Sequence, residues 1–323
     1  MQPCLLRPVP STAFTDIGFP HCCFSHSCDS WDEHVLLLLH GLGDTDSNFS
    51  TFGSKLQLPQ TASLAVRAPL PLLDMGFTWF DVITADGDVC LDSPDAIASL
   101  RDTSRAMCML LQRLHIQHKY PLRNIFILGY SQGGTVALSI LQSLNTLSIG
   151  GVVSISGPPP PAPHTMQPSA TPVLFTLGQR DACAASKSRA WSQFELQWRN
   201  QLPVAHDSHS PVQPASERDC RMLLVAGKAE AMVQGGDETR VLMEFFGRHL
   251  KLRSLQLYAP KRATVISPRR FATGMRCCFS RRCRYAQADV VSVDDAAQVM
   301  SEITGSAGEV TQRPHCARGE GLE

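Results

Sequence analysis

The sequence predicts a domain of the α/β class in which helices cover both faces of a mostly parallel sheet. Between residues 34 and 250, short apolar runs alternate with segments whose apolar residues recur at helical spacing. The apolar runs have the length and the β-branched content of strands that are buried on both faces. Regular alternation of these two kinds of segment favours crossover connections, and therefore a parallel sheet.

Six apolar runs are predicted as strands and four segments as helices. The clearest strand is the run of Val35 and the leucines after it, which ends at His40. The predicted strands span residues 34–40, 62–67, 125–128, 150–157, 172–177 and 221–225. The predicted helices span residues 95–115, 187–202 and 238–250, and the fourth begins just after Gly133.

The composition is that of an ordinary soluble protein with reduced cysteines. Of the 323 residues, 43% are apolar and 18% are charged, and the formal net charge of zero gives no reason to expect a nucleic-acid partner. The start of the chain lacks the pattern of a secretory signal, and no apolar run is long enough to predict stable membrane insertion. The twelve scattered cysteines therefore indicate free thiols and a cytoplasmic protein.

Residues 1–31 are predicted to form an irregular, weakly structured arm, because prolines interrupt any helix there. Cys22, Cys23, His26 and Cys28 look at first like the ligands of a zinc site. Structural zinc usually takes two spaced ligand pairs, whereas two of these cysteines are adjacent and no second pair lies nearby. The sequence therefore predicts no metal.

Residues 251–323 form a predicted tail that follows the domain of residues 32–250. The tail is basic and contains cysteines as far as Arg284, and it becomes acidic after Asp289. A basic run with cysteines could bind nucleic acid or anionic lipid, or carry palmitate. We favour a disordered extension whose two halves attract each other.

The segment from Asn124 to Leu138 carries the candidate nucleophile. The predicted strand at residues 125–128 leads into Gly129-Tyr130-Ser131-Gln132-Gly133, a G-x-S-x-G pattern that is followed by a helical stripe. A serine on such a strand-to-helix turn has a strained backbone and needs small residues two positions before and after it. The helix behind the serine also directs its free N–H groups and positive dipole end at charge that develops during acyl transfer.

Two other loops follow predicted strands and could complete this site. In His40-Gly41-Leu42-Gly43-Asp44, the glycines allow a sharp turn that exposes an N–H, as the second donor of an oxyanion hole requires. His40 is predicted to brace this turn rather than to act as a base. Asp181 follows the strand at residues 172–177, at the edge where open α/β sheets hold functional residues.

The loop after the strand at residues 62–67 is rich in apolar side chains, among them Met75, Phe77 and Trp79. Apolar side chains that are exposed together on a loop are unfavourable in water. We therefore expect this loop either to pack on the domain or to line a cleft that binds an acyl chain.

Taken together, the motifs resemble the phospholipase/carboxylesterase branch of the α/β-hydrolases, the acyl-protein thioesterase family. The resemblance covers about residues 33–250. The matching segments are Leu39-His40-Gly41-Leu42-Gly43-Asp44, Arg67-Ala68-Pro69, Trp79-Phe80-Asp81, Gly129-Tyr130-Ser131-Gln132-Gly133-Gly134 and the loop of Asp181. Several motifs in the family's order are far more specific than any one of them alone.

The resemblance implies an α/β-hydrolase fold and an acyl-transfer site that needs no cofactor. It implies that Ser131 attacks the acyl carbonyl, that the N–H groups of Leu42 and Gln132 bind the oxyanion, and that Asp181 orients a histidine. The implied substrates are acylated proteins or small esters, and Met75, Phe77 and Trp79 are the candidates for contact with them.

One element departs from the family's pattern. Where a Gly-x-x-His segment is expected, the chain has Gly227-Lys228-Ala229-Glu230, so a glutamate stands at the position of the base. An ordinary carboxylate, with a pKa near 4, is a poor acceptor for a serine proton. Glu230 could still act as the base if it were buried, or His206 or His209 could complete the triad. The cleft could instead serve binding only, or the segment could be misaligned.

Two functions follow from these alternatives. The first is a serine hydrolase of carboxylic esters or thioesters that acts through acyl-Ser131 and is impaired by Glu230. The second is a weak or inactive pseudo-hydrolase that binds an acyl chain or a protein partner.

Overall fold

The computed structural model describes residues 6–72, 75–82, 93–144, 147–160, 169–200 and 219–252. His206 and His209, and all of the tail after Leu252, lie outside the described residues. The strands are β1 (Cys22–Ser25), β2 (His34–Leu39), β3 (Thr61–Val66), β4 (Leu70–Pro71), β5 (Phe77–Thr78), β6 (Ile125–Tyr130), β7 (Gly151–Ile155), β8 (Val173–Gly178) and β9 (Cys220–Val225). The helices are α1 (Asp46–Leu56), α2 (Pro94–Ile116), α3 (Gln132–Ser143), α4 (Ala184–Asn200) and α5 (Gly235–His249).

Seven strands form one sheet in the order β1-β3-β2-β6-β7-β8-β9. All neighbouring pairs run parallel except β1 and β3, so the prediction of a mostly parallel sheet is confirmed. The strand order reverses between β2 and β6, since β3 lies on the far side of β2. In open α/β sheets the crevice at such a reversal, beyond the carboxyl ends of the strands, is where ligands bind.

Helices cover both faces of the sheet, as the sequence predicts. On one face, Phe49 of α1 and Phe246 of α5 join a buried cluster with Leu38 and Phe126. On the other face, Trp191 of α4 stacks on Phe175 of β8, with the ring centroids 4.8 Å apart. Alternate residues of a strand point to opposite faces, which explains why β2 and β6 are apolar at nearly every position.

The predicted irregular arm is wrong for its second half. β1 pairs with β3 and extends the sheet, while Phe14 and Phe19 are each only 1% exposed. Prolines exclude a helix from this segment but not a short strand at a sheet edge. A strand of four residues is too short to show a clear alternating pattern in the sequence.

The described helices include none that is both long enough and apolar enough to cross a membrane.

Candidate active site

Ser131 lies on the sharp turn between β6 and α3, with φ 49° and ψ −119°. A residue other than glycine rarely adopts a positive φ, because its Cβ then crowds the backbone. The conformation is held by hydrogen bonds from the N–H of Ser131 to the Ile155 carbonyl at 2.8 Å and from the Gly134 N–H to the Ser131 carbonyl at 2.9 Å.

The two glycines of the motif are needed because the backbone is crowded. A Cβ at Gly129 would lie 2.2 Å from the Gly133 carbonyl oxygen, and a Cβ at Gly133 would lie 2.4 Å from the Leu39 carbonyl oxygen. No side chain fits at these distances. The prediction that this turn needs glycine on both sides of the serine is therefore confirmed, and the cause is steric.

The predicted oxyanion donors belong to two segments beside Ser131. Gln132 is the first residue of α3, so its N–H is not used inside the helix. A Cβ at Gly41 would lie 3.6 Å from the Cβ of Ser131, which brings the loop of Leu42 next to the serine. The role of Leu42 and Gln132 as oxyanion donors stays a prediction.

His40 braces this loop, as predicted. Its Nδ1 lies 2.8 Å from the Gly41 carbonyl oxygen, and its Nε2 accepts a hydrogen bond from the Ala68 N–H at 3.1 Å. These two contacts define a neutral imidazole with its proton on Nδ1. Burial lowers the pKa of His40, which also favours the neutral form.

The side chain of Gln132 joins helix α3 to the apolar loop. Its Oε1 accepts from the Trp79 N–H at 2.8 Å, and its Nε2 donates to Thr78 and to the Phe80 carbonyl oxygen. The Trp79 indole donates to the His40 carbonyl oxygen at 2.8 Å and has no exposed surface. The Trp79 indole is thus an internal support in this structure, and its contact with substrate stays a prediction.

For Met75 and Phe77, the sequence left open whether they pack on the domain or line a cleft. Met75 is 61% exposed, whereas Phe77 is half-buried. The Arg67 guanidinium carbon lies over the Phe77 ring, 4.9 Å from the ring centroid. The Gly43 N–H bonds to the Phe77 carbonyl oxygen at 3.0 Å, and a Cβ at Gly43 would lie 3.1 Å from the Met75 carbonyl oxygen, so both residues adjoin the loop of Leu42. Their contact with substrate stays a prediction.

Glu230 faces the serine. The Ser131 hydroxyl donates a hydrogen bond to Oε1 of Glu230 at 2.9 Å, and the glutamate side chain is 43% exposed. The contact brings a carboxylate to the serine at the position where the family's pattern has a histidine, and the role of Glu230 as the base stays a prediction.

Sequence reasoning missed Lys187, which lies between the two carboxylates of the site. Its Nζ is 2.8 Å from Oδ2 of Asp181 and 3.2 Å from Oε2 of Glu230, and its side chain is 7% exposed. The other oxygen of Asp181 accepts from the Cys183 N–H at 2.8 Å. A signal was present, because Lys187 precedes Trp191 by one turn and thus lies on the buried stripe of α4.

The loop that carries Glu230 is anchored by a buried ion pair. Lys228 and Glu238 are 2.6 Å apart, and both side chains are almost completely buried. Glu238 also accepts from the Thr176 hydroxyl at 2.8 Å and from the Gln234 N–H at 2.7 Å. These contacts fix both ends of the loop against β8 and α5.

The carboxylates also affect the neighbouring phenol. Burial raises the pKa of Tyr130, and the negative charges of Glu230 and Asp181 raise it further. Tyr130 is therefore protonated at neutral pH.

Cys22 and His26 of the N-terminal segment bind different partners. Cys22 donates to the Pro10 carbonyl oxygen, and His26 contacts Asp32 at 2.6 Å. Within the described part of the chain, one group of three potential metal ligands lies within 4.8 Å, namely His21, Cys23 and Asp46. Asp46 also binds the Arg67 guanidinium at 2.7 Å, so hydrogen bonds and ion pairs already account for the group.

The parallel sheet, the strained serine at the end of β6 and the adjoining loops define an α/β-hydrolase fold. The sequence profile of the Phospholipase/Carboxylesterase family matches residues 24–210, which is more than half of the chain. The protein belongs to this family, as the motifs around Ser131 and His40 predict.

Curated relatives include hydrolases and thioesterases from fungi. An uncharacterized hydrolase of Mycosarcoma maydis is 36% identical over 159 residues, which cover 47% of this chain and 58% of the relative. An acyl-protein thioesterase 1 of Candida albicans is 31% identical over 136 residues, which cover 38% of this chain and 56% of the relative. The chain thus spans little more than half of the length of the curated relatives that it matches.

Solved structures share the fold at low sequence identity. A carboxylesterase of Bacillus cereus gives a TM-score of 0.55 at 17% identity and covers 71% of this chain and 94% of its own. The acyl-protein thioesterase 2 of Zea mays gives a TM-score of 0.52 at 16% identity and covers 71% of this chain and 98% of its own. These likenesses concern the fold alone.

Proposed function

We propose that the protein is a serine hydrolase of carboxylic esters or thioesters that works slowly through an acyl-Ser131 intermediate. The observation that carries the proposal is the 2.9 Å hydrogen bond from the strained Ser131 to Glu230. A strained, glycine-flanked serine that donates to an acceptor has the arrangement of an activated nucleophile.

In the proposed reaction, Oγ of Ser131 attacks the acyl carbonyl while Oε1 of Glu230 takes the hydroxyl proton. The N–H groups of Leu42 and Gln132 stabilise the oxyanion. When the intermediate collapses, the C–O or C–S bond breaks and the departing alcohol or thiol receives the proton. A water molecule then repeats the sequence on acyl-Ser131, releases the acid and restores the serine.

The rate is expected to be low. A carboxylate is a weaker base than an imidazole, so it accepts the serine proton less readily. Hydrolases that lose one triad residue keep roughly 10³ to 10⁴ of rate enhancement from the oxyanion hole and substrate binding. We expect activity of that order here.

The names of the fungal and plant thioesterases suggest acylated proteins as substrates, and the carboxylesterase suggests small esters. The exposed Met75 and the half-buried Phe77 beside Leu42 offer an apolar surface for an acyl chain.

A second candidate function is an acyl-binding or partner-binding pseudo-hydrolase. The contact of 3.2 Å between Lys187 and Glu230 favours it, because the glutamate is already engaged in an ion pair. In that case the cleft would hold an acyl chain without cleaving it.

Covalent labelling with a fluorophosphonate probe tests the proposal. We expect one equivalent of adduct on the wild-type protein and none on Ser131→Ala. Ser54→Ala, at an exposed serine of α1, is the matched control and should label normally. An unlabelled wild-type protein, or a labelled Ser131→Ala variant, would contradict the hydrolase. Thermal stabilisation by a fatty acid without any labelling would instead support the pseudo-hydrolase.

A further inference from the structure

We infer that Lys187 is a positioning residue, and that Lys187 and Glu230 together replace the single imidazole of a catalytic triad. The inference rests on the proposed function, because it concerns how the same serine is activated.

Lys187 and Glu230 each make one of the two hydrogen bonds that a triad imidazole makes. In a triad, one imidazole donates to the aspartate through one nitrogen and accepts from the serine through the other. Here the Lys187 ammonium donates to Asp181 at 2.8 Å, and Glu230 accepts from Ser131 at 2.9 Å. The contact of 3.2 Å between Lys187 and Glu230 connects the two halves.

Charge makes the two side chains dependent on each other. Without Lys187, the buried Asp181 and the half-exposed Glu230 would face each other as like charges. Glu230 would then turn toward water, because 43% of its side chain is already exposed. Lys187 therefore directs Oε1 of Glu230 toward the serine by holding its other oxygen.

The same geometry predicts that a histidine at position 230 cannot work beside Lys187. The ammonium already occupies Asp181, so the imidazole would lack the partner that orients it. The imidazolium that forms during proton transfer would also face the positive charge of Lys187. Labelling of Ser131 should therefore become faster only when Lys187 and Glu230 are both replaced.

The experiment compares the labelling rates of four full-length proteins between pH 5.5 and 8.5: wild type, Lys187→Met, Glu230→His and the double variant. We expect Lys187→Met alone and Glu230→His alone each to label about 10-fold more slowly than wild type, or worse. The double variant should label roughly 10²-fold faster than either single variant, with a rate that rises through the pH range where an imidazole loses its proton.

Two controls separate positioning from folding. Lys55→Met, at an exposed lysine of α1, should label like wild type, and Lys187→Arg should keep part of the wild-type rate because it preserves the charge. Circular dichroism melting curves establish that each variant is folded. If Lys187→Met does not fold, Lys187→Gln replaces it in the same comparison.

A Glu230→His variant as fast as the double variant would overturn the inference, as would a double variant no faster than wild type. The outcome for the proposed function is separate. An unlabelled wild-type protein would count against the hydrolase itself, whereas a wild-type protein that labels and a Lys187→Met variant that labels equally fast would overturn the inference alone.

Discussion

The backbone of Ser131 shows how single residues define this site. A non-glycine residue in such a conformation costs about 1–3 kcal/mol, and its neighbours hold it there. The strand, the glycines and the serine form one local pattern, so the sequence predicts the turn completely. Lys187 could not be assigned in the same way, because its partners Asp181 and Glu230 come together only in the folded chain.

Replacing Gly133 by alanine should damage the turn. The new Cβ would meet the carbonyl oxygens of Leu39 and His40 at 2.4 and 2.5 Å, so the backbone must shift. We expect a loss of about 2 kcal/mol or more in the free energy of unfolding, together with loss of labelling at Ser131. Chemical denaturation and the fluorophosphonate probe measure the two effects.

Gly236→Ala is the matched control, because a Cβ there has no neighbour within 4 Å and the residue lies in α5. That variant should be unchanged or slightly more stable. Equal effects of the two substitutions would contradict the role given to Gly133.

Among the elements, the buried strands were the easiest to predict and the edge strand was the hardest. β2 and β6 are apolar at nearly every position because helices cover both of their faces, and their predicted positions agree with the structure to within two residues. β1 has four residues and only one of them is buried, so its pairing with β3 left little trace in the sequence.

His40 links the end of β2 to the loop after β3, and this link should make the fold sensitive to acid. Burial lowers the pKa of His40 in the folded protein, so the unfolded chain, with a pKa near 6.5, binds a proton first as the pH falls. The free energy of unfolding should therefore decrease below about pH 6.5, by up to roughly 1.4 kcal/mol per pH unit for this group. His34 and His118 add to the slope, because burial lowers their pKa values as well.

Denaturant unfolding of wild type and His40→Gln at pH 7.5 and pH 5.5 measures the contribution of His40. The variant should be less stable at pH 7.5 but should lose about 1 kcal/mol less than wild type between the two pH values. Parallel losses in the two proteins would rule out this account of His40.

For the whole molecule, the N-terminal segment is part of the domain rather than an appendage. Phe19 lies 6.2 Å from the Trp79 ring, ring centroid to ring centroid, and Arg7 lies 5.0 Å from the centre of the Tyr120 ring. The sequence could not show these contacts, because they join residues far apart in the chain. The predictions for His206, His209 and the tail concern residues outside the described part of the structure.

Phe19→Ala should destabilise the protein by about 3–5 kcal/mol, because it removes a buried ring and leaves a cavity. Leu6→Ala, at a side chain that is 46% exposed, should change stability by no more than about 0.5 kcal/mol. Thermal melting compares the two variants, and a Phe19→Ala variant as stable as wild type would show that the segment is dispensable.

The amide of Gln132 ties together two parts of the molecule that a substrate would meet separately. One is the first turn of the helix beneath the reactive hydroxyl, and the other is the segment around Trp79 that continues from the exposed Met75. A ligand that displaces the segment around Trp79 would therefore also disturb the first turn of the helix, because the side chain of Gln132 joins the two. Under the proposed function, binding of the acyl chain and alignment of the carbonyl should therefore depend on each other through this one side chain.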